Sequence, residues 1–186
     1  MSQPALLHRA HASEYRALML KAYAQHPDAF TSSPHERETL PLAWWESRLF
    51  SGAPGSEAQD DHAKERVIGI FVALPSGAKV LAGVVGVSFE TREKARHKAS
   101  LFGMVVAEPY RRQGLGDQLV AAALALARAR KGVRLVQLTV THGNEPAYAL
   151  YTRHGFVPFG LEPMAVAVGD RFVAKCHMWC DLQATA

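Results

Sequence analysis

Residues 104–116 read Met-Val-Val-Ala-Glu-Pro-Tyr-Arg-Arg-Gln-Gly-Leu-Gly, and no other stretch limits this chain so tightly. An apolar run rich in β-branched Val reaches a Pro, two arginines follow, two glycines stand one residue apart, and a long Ala- and Leu-rich helical pattern begins at once. That order predicts a strand, a tight loop and a helix N-terminus. The first turn of a helix leaves its N–H groups unpaired, and the positive end of the helix dipole lies at the same place. Such a junction therefore suits a phosphate, which glycines allow to approach the backbone closely. Arg111 and Arg112 add positive charge there. Glycines also simply end strands, so the phosphate site is an expectation that needs support from the rest of the chain.

A chain of 186 residues reads most simply as one domain spanning 1–186, long enough to bury roughly 70% of its unfolded surface. With 48% hydrophobic and 20% charged residues its composition is that of an ordinary soluble protein, without repeats or low-complexity tracts. The net charge of +4 is modest and scattered. It suits a polyanionic cofactor better than nucleic acid, which would want a continuous basic stripe. Cys176 and Cys180 are the only cysteines, and their spacing on a strand rules out a disulfide along it. His8, Arg9 and His11 interrupt any apolar run near the start, so no secretory leader is expected and the chain reads as cytoplasmic with reduced thiols. The longest apolar run, Leu119–Ala127, is too short to span a membrane.

The first fifty residues read as helical. Ser13 is expected to cap an amphipathic helix ending near His26-Pro27, and a short helix carrying Trp44, Trp45, Leu49 and Phe50 follows Pro41, with Phe30–Pro34 as loop between them. Ser51–Lys64 has neither helical nor strand period and reads as a mobile loop. From Arg66 the period becomes two: Val67–Ala73 and Lys79–Phe89 form a hairpin, and Ala99–Val106 delivers the chain to the glycine loop. Leu115, Leu119, Ala122, Ala123 and Leu126 mark the buried face of the next helix, which Gly132 is expected to cap. A strand over Arg134–Thr141 comes next, then a helix capped by Asn144 and stopped by Gly155. A final hairpin pairs Val157–Val168 with Phe172–Leu182. The expected class is mixed α/β: a mostly antiparallel sheet of about six or seven strands covered by about four helices.

Two stretches taken together carry a resemblance. Arg111-x-x-Gly114-x-Gly116 after Met104-Val105-Val106 resembles the acetyl-CoA signature Q/R-x-x-G-x-G/A of the GNAT superfamily of N-acetyltransferases. Asn144-x-x-Ala147-x-x-x-Tyr151 with His154-Gly155-Phe156 resembles that family's following helix and its exit. The match covers roughly residues 66–182. It implies the GNAT fold, with a sheet that splays at the cofactor, and acetyl-CoA as cosubstrate without a metal. It further implies that the pantetheine arm pairs with Met104, Val105 and Val106 like an added strand. The diphosphate would lie on the main-chain N–H groups of Arg111, Arg112, Gln113, Gly114, Leu115, Gly116 and Asp117. Asn144 would bind cofactor amides or cap its helix.

Tyr151 lies seven positions after Asn144, about two turns, so both fall on one helix face. Acetyl transfer from a thioester to an amine expels a thiolate that a nearby phenol can protonate. With a thiol pKa of about 8.5 and a phenol near 10, that transfer is uphill by a small amount. The resemblance makes Tyr151 the general acid, contacting the cofactor as well. Many relatives carry a Glu on the strand matching Ala99–Gly103, where this chain has only Ser100. The candidates left for a base are His142, Glu145, Glu108 and His97, each of which also reads as a solvated or capping side chain. Cys176, His177 and Cys180 alternate faces on a strand and suggest packing rather than a metal.

The expected activity is acetylation of a primary amine, on a small molecule or a peptide, by direct attack, with no nucleic acid or membrane partner. A homodimer is among the assemblies the chain permits. Two other classes share parts of this pattern. A nucleotide hydrolase lacks its Gly-Lys-Ser/Thr here. A CoA-binding sensor or scaffold would keep the loop and lack turnover.

Overall fold

The computed structural model describes residues 3–52 and 63–183. The Ser51–Lys64 loop expected above falls largely outside the described residues. Twelve elements follow in chain order: β1 (Pro4–Leu6), α1 (Ala12–Gln25), α2 (Pro34–Glu38), α3 (Leu42–Glu46), β2 (Glu65–Ala73), β3 (Lys79–Phe89), β4 (Lys98–Val106), α4 (Leu115–Ala129), β5 (Leu135–Thr141), α5 (Glu145–Arg153), β6 (Val157–Val168) and β7 (Arg171–Asp181). The strands make one seven-stranded sheet in the order β1-β2-β3-β4-β5-β7-β6. Every pairing is antiparallel except β4 with β5.

Apolar residues on both faces of the central strands explain why helices cover the sheet twice. On one face Val67, Leu81, Val84 and Val105 pack with Tyr15, Met19 and Ala22 of α1 and Trp45 of α3. On the other, Ile68, Val85, Val87 and Leu101 meet Leu119, Val120, Ala123 and Ala127 of α4, together with Tyr151 and Phe156. The 3.6 period of α4 and the twofold period of the strands are therefore two halves of one core.

Several local expectations change. Ser13 lies inside α1, whose N-cap is His11; a 3-10 turn at Arg9–His11 leads in, and His11 Nδ1 accepts from the His8 N–H at 3.1 Å. The expected loop at Phe30–Pro34 contains the cap of α2. Ser33 Oγ accepts from the Glu36 N–H at 3.2 Å, and Glu36 Oε2 accepts from the Ser33 N–H at 2.8 Å, a capping box whose Ser-x-x-Glu spacing was legible. α4 is capped by Arg130 rather than by Gly132. β1 escapes a reading by period because three residues cannot display one; it exists because β2 offers an edge to pair with.

Candidate active site

β4 and β5 pair only at Lys98–Leu135, Ala99–Val136 and Ser100–Gln137. Beyond that row the parallel pair opens, and Leu101–Val106 presents main-chain groups to the gap. A groove of about 1150 Å³ occupies it, lined among others by Met104, Val105, Val106, Arg112, Gly114, Gly116, Asp117, Asn144 and Arg153. The loop at its end is built from two left-handed residues, Arg112 at φ +60° and Gly114 at φ +76°. For a non-Gly residue that backbone costs on the order of 1–2 kcal/mol, and here it turns successive N–H groups to one side. Among the described residues, no N–H from Arg112 to Asp117 donates to a carbonyl or side chain. That row of open donors at the N-terminus of a long helix is what a diphosphate needs.

The expected cradle starts one residue late. The Arg111 N–H already donates to the Glu108 carbonyl at 3.3 Å. Arg111 Nε donates to the Val106 carbonyl at 3.0 Å, and its terminal nitrogen meets His26 Nε2 at 2.7 Å, so this side chain ties the loop to β4 and to the end of α1. Gln113 directs its amide to the Pro109 carbonyl at 3.2 Å. Leu115 buries its side chain in the core. These two leave only their main-chain N–H for an anion. Asp117 is less anomalous than its charge suggests, because Arg153 binds its carboxylate at 3.1 and 3.2 Å and His154 Nε2 lies at 3.3 Å. Asn144 does cap α5, its Oδ1 accepting from the Ala147 N–H at 3.3 Å, while the residue also borders the groove.

A second cavity of about 500 Å³ joins the groove. Met104, Phe30, Thr141, Asn144 and Ala147 border both spaces. Its own walls include Tyr15, Tyr23, Arg37, Arg48, Glu65, Ser88, Phe102 and Tyr151. Tyr151 is 7% exposed, its ring edge-on to Phe156, and burial pushes its phenol up to about 12. The acid is thus weaker than an ordinary phenol near 10. Against a thiol at 8.5, transfer would be uphill by about 5 kcal/mol, unless the same dry cavity raises the thiol as well.

The candidate bases do not gather around Tyr151. His142 is exposed on the groove. Glu145 borders a different hollow with Tyr148 and Phe159. Glu108 and His97 line neither the groove nor the Tyr151 cavity. Among the described residues the one carboxylate lining the Tyr151 cavity is Glu65, paired with Arg48 at 3.1 Å. Sequence reasoning missed it. Strand alternation puts Glu65 on the face of Val67, but only the sheet register says what lies beside it.

The roof between the two spaces is the segment after α1. Lys175, 5% exposed, donates to the Asp28 carbonyl at 2.8 Å, the Ala29 carbonyl at 3.1 Å and Thr141 Oγ1 at 2.9 Å. One terminal nitrogen of Arg171 donates to both carboxylate oxygens of Asp28, at 2.6 and 2.8 Å. Desolvation lowers the Lys175 pKa, which nearby Asp28 partly opposes. Elsewhere His177 pairs with Glu162 at 2.8 Å. Among the described residues no group of three His, Cys, Asp or Glu could hold a metal, and no helix is long and apolar enough to cross a membrane.

The model of the Acetyltransferase (GNAT) family matches residues 19–156. No curated protein matches. Among solved structures, an acetyltransferase of the GNAT family from Streptococcus pneumoniae is similar at 24% identity and a TM-score of 0.79, covering 96% of this chain and 98% of its own. An N-acetyltransferase from Staphylococcus aureus superposes at 0.74 with 17% identity, over 98% and 99% of the two chains. The yncA protein of Salmonella typhimurium, solved with its cofactor acetyl-CoA, gives 0.69 at 17% identity over 100% and 96%.

Proposed function

The chain belongs to the acetyltransferase (GNAT) family, and on that premise we propose that it moves the acetyl group of acetyl-CoA onto a primary amine seated in the Tyr151 cavity. The observation that carries this reading is the continuity of two spaces at the break in the sheet: a groove ending in open main-chain donors, and a cavity holding a buried phenol. The residues fit the cosubstrate. The N–H groups from Arg112 to Asp117 would hold the diphosphate, and the unpaired edge of Met104–Val106 would hold the pantetheine amides. A Cβ on Gly116 would sit 3.3 Å from Leu150, so the glycine relieves the packing of this turn against α5.

Acetyl-CoA supplies an activated thioester. The chain's residues would orient the amine, take its proton and return one to sulfur. A C–N bond forms, the C–S bond breaks, the amine proton leaves, and Tyr151 protonates the departing thiolate. Glu65 is the carboxylate available to accept the amine proton, through a bridging water. His142 on the groove rim and Glu145 beyond it are the remaining candidates, and neither borders this cavity.

The edge strand β6 supports a homodimer. Val157, Phe159, Leu161 and Met164 are all exposed along it, and a second copy would cover an unpaired apolar edge. A sedimentation experiment that finds only monomer at micromolar concentration removes that part of the reading. For the activity, thiol release from acetyl-CoA is followed with a panel of primary amines, alongside calorimetry of cofactor binding. Turnover with at least one amine is expected; tight binding without any turnover would instead make the chain a CoA-binding sensor.

A further inference from the structure

We infer that the acceptor is a small primary amine bearing its own anionic group, an α-amino acid or a phosphinate analogue, and that Arg37 receives that anion. The inference rests on the acetyltransferase reading and specifies its substrate. Arg37 lines the cavity yet has no carboxylate partner among the described residues. One terminal nitrogen donates to Ser32 Oγ at 2.6 Å, the guanidinium lies 4.6 Å from the Trp44 ring centre, and its Nε is sealed from solvent without an acceptor. Arg48 is held differently. It lies 4.7 Å from both the Trp44 and Phe102 ring centres and pairs with Glu65, and its Nε is likewise unmet.

Two guanidiniums against one carboxylate leave the cavity with an uncompensated positive charge. A half-buried guanidinium without a counter-ion is costly, and a fixed planar fork suits a carboxylate or phosphinate. Tyr15 and Tyr23, also on the wall, offer hydroxyls beside the two arginines. A polyamine would bring two or more further positive charges against the same wall, a repulsive arrangement. A space of about 500 Å³ also lies within the usual range for a small molecule.

The test measures kcat/KM with acetyl-CoA for the twenty L-amino acids, a phosphinate-bearing amino acid, the matching amino-acid amides, spermidine and a short peptide, with cofactor affinity measured in parallel. At least one anion-bearing amine should exceed its uncharged amide by about 10- to 100-fold, the scale of one charge-assisted hydrogen bond. The ratio of carboxylate to phosphinate substrates identifies the source of the anion. Arg37→Leu should erase that preference through KM, Arg37→Lys should keep part of it, and acetyl-CoA affinity should not move. Preference for spermidine, peptide or amides, or an unchanged KM in Arg37→Leu, overturns this inference and leaves the acetyltransferase reading standing. Absence of turnover on every amine despite cofactor binding overturns both.

Discussion

Glu65 and Ser100 stand in one row of the sheet, two strands apart, because both are register partners of Ser88. Directly opposed residues share a face, so Glu65, Ser88 and Ser100 all present to the side where the second cavity lies. Where many relatives carry a carboxylate on the strand of Ser100, this chain has one in the same row on β2, on the order of 10 Å away. As the proposed base, Glu65 would reach an amine near Tyr151 through water.

Glu65→Gln should lower turnover by about 10²-fold, the lower end of acid–base catalysis, with acetyl-CoA affinity unchanged. Adding Ser100→Glu to that variant returns a carboxylate to the same row and should restore part of the rate. Full activity in Glu65→Gln would remove this group from the reaction.

Tyr151→Phe should cost about 10²- to 10³-fold in turnover and little cofactor affinity. With its phenol pushed up to about 12, the acid stays protonated throughout the working range. The rate should climb as the acceptor amine loses its proton and then hold level to about pH 11. A descending limb near pH 9 would show that some other group supplies the proton.

Tyr15 and Tyr151 are both raised by burial to about 12, against about 10 in an unfolded chain. Their contribution to stability is intact below pH 10 and is lost as pH rises from 10 to 12, by about 3 kcal/mol for each fully coupled group. Burial also raises the Cys180 thiol, which acts in the same direction from the ordinary thiol range upward. Lys175 opposes them: its lowered pKa means the folded state sheds that proton first, so stability is gained from the folded value up to the ordinary lysine range. Urea melts across pH 9–12 should show a net loss that Tyr15→Phe reduces. A flat profile in the parent chain would contradict the burial of both phenols.

Gly114→Glu should abolish detectable acetyl-CoA binding by calorimetry. At φ +76° a side chain also strains the loop by on the order of 1–2 kcal/mol, so a fall in Tm of a few degrees is expected with the fold retained. Retained affinity would exclude the loop as the diphosphate seat.

Lys175→Met removes three hydrogen bonds from a buried ammonium and leaves the Ala29 carbonyl without its donor, while the Asp28 carbonyl keeps that of Thr141 Oγ1. The expected destabilisation is about 3 kcal/mol, with a raised KM for both substrates because the Asp28–Phe30 roof borders both spaces. Unaltered KM values would separate this staple from the site.

The glycine loop, the helix behind it and the order of six strands were legible in the linear chain. They depend on neighbours in sequence: the Val run, Pro109, the glycines at 114 and 116, and the period of Leu115–Ala127. Main-chain donors need no distant partner to be recognised. The cavity of Tyr151 was not legible, because its lining residues Arg37, Arg48, Glu65 and Tyr151 come from four separate segments. Only the packing of α2 and α3 against the sheet, and the register that sets Glu65 opposite Ser88, bring them to one wall. A one-residue slip of β2 would turn that carboxylate to the opposite face, and no local pattern in the sequence records which register wins.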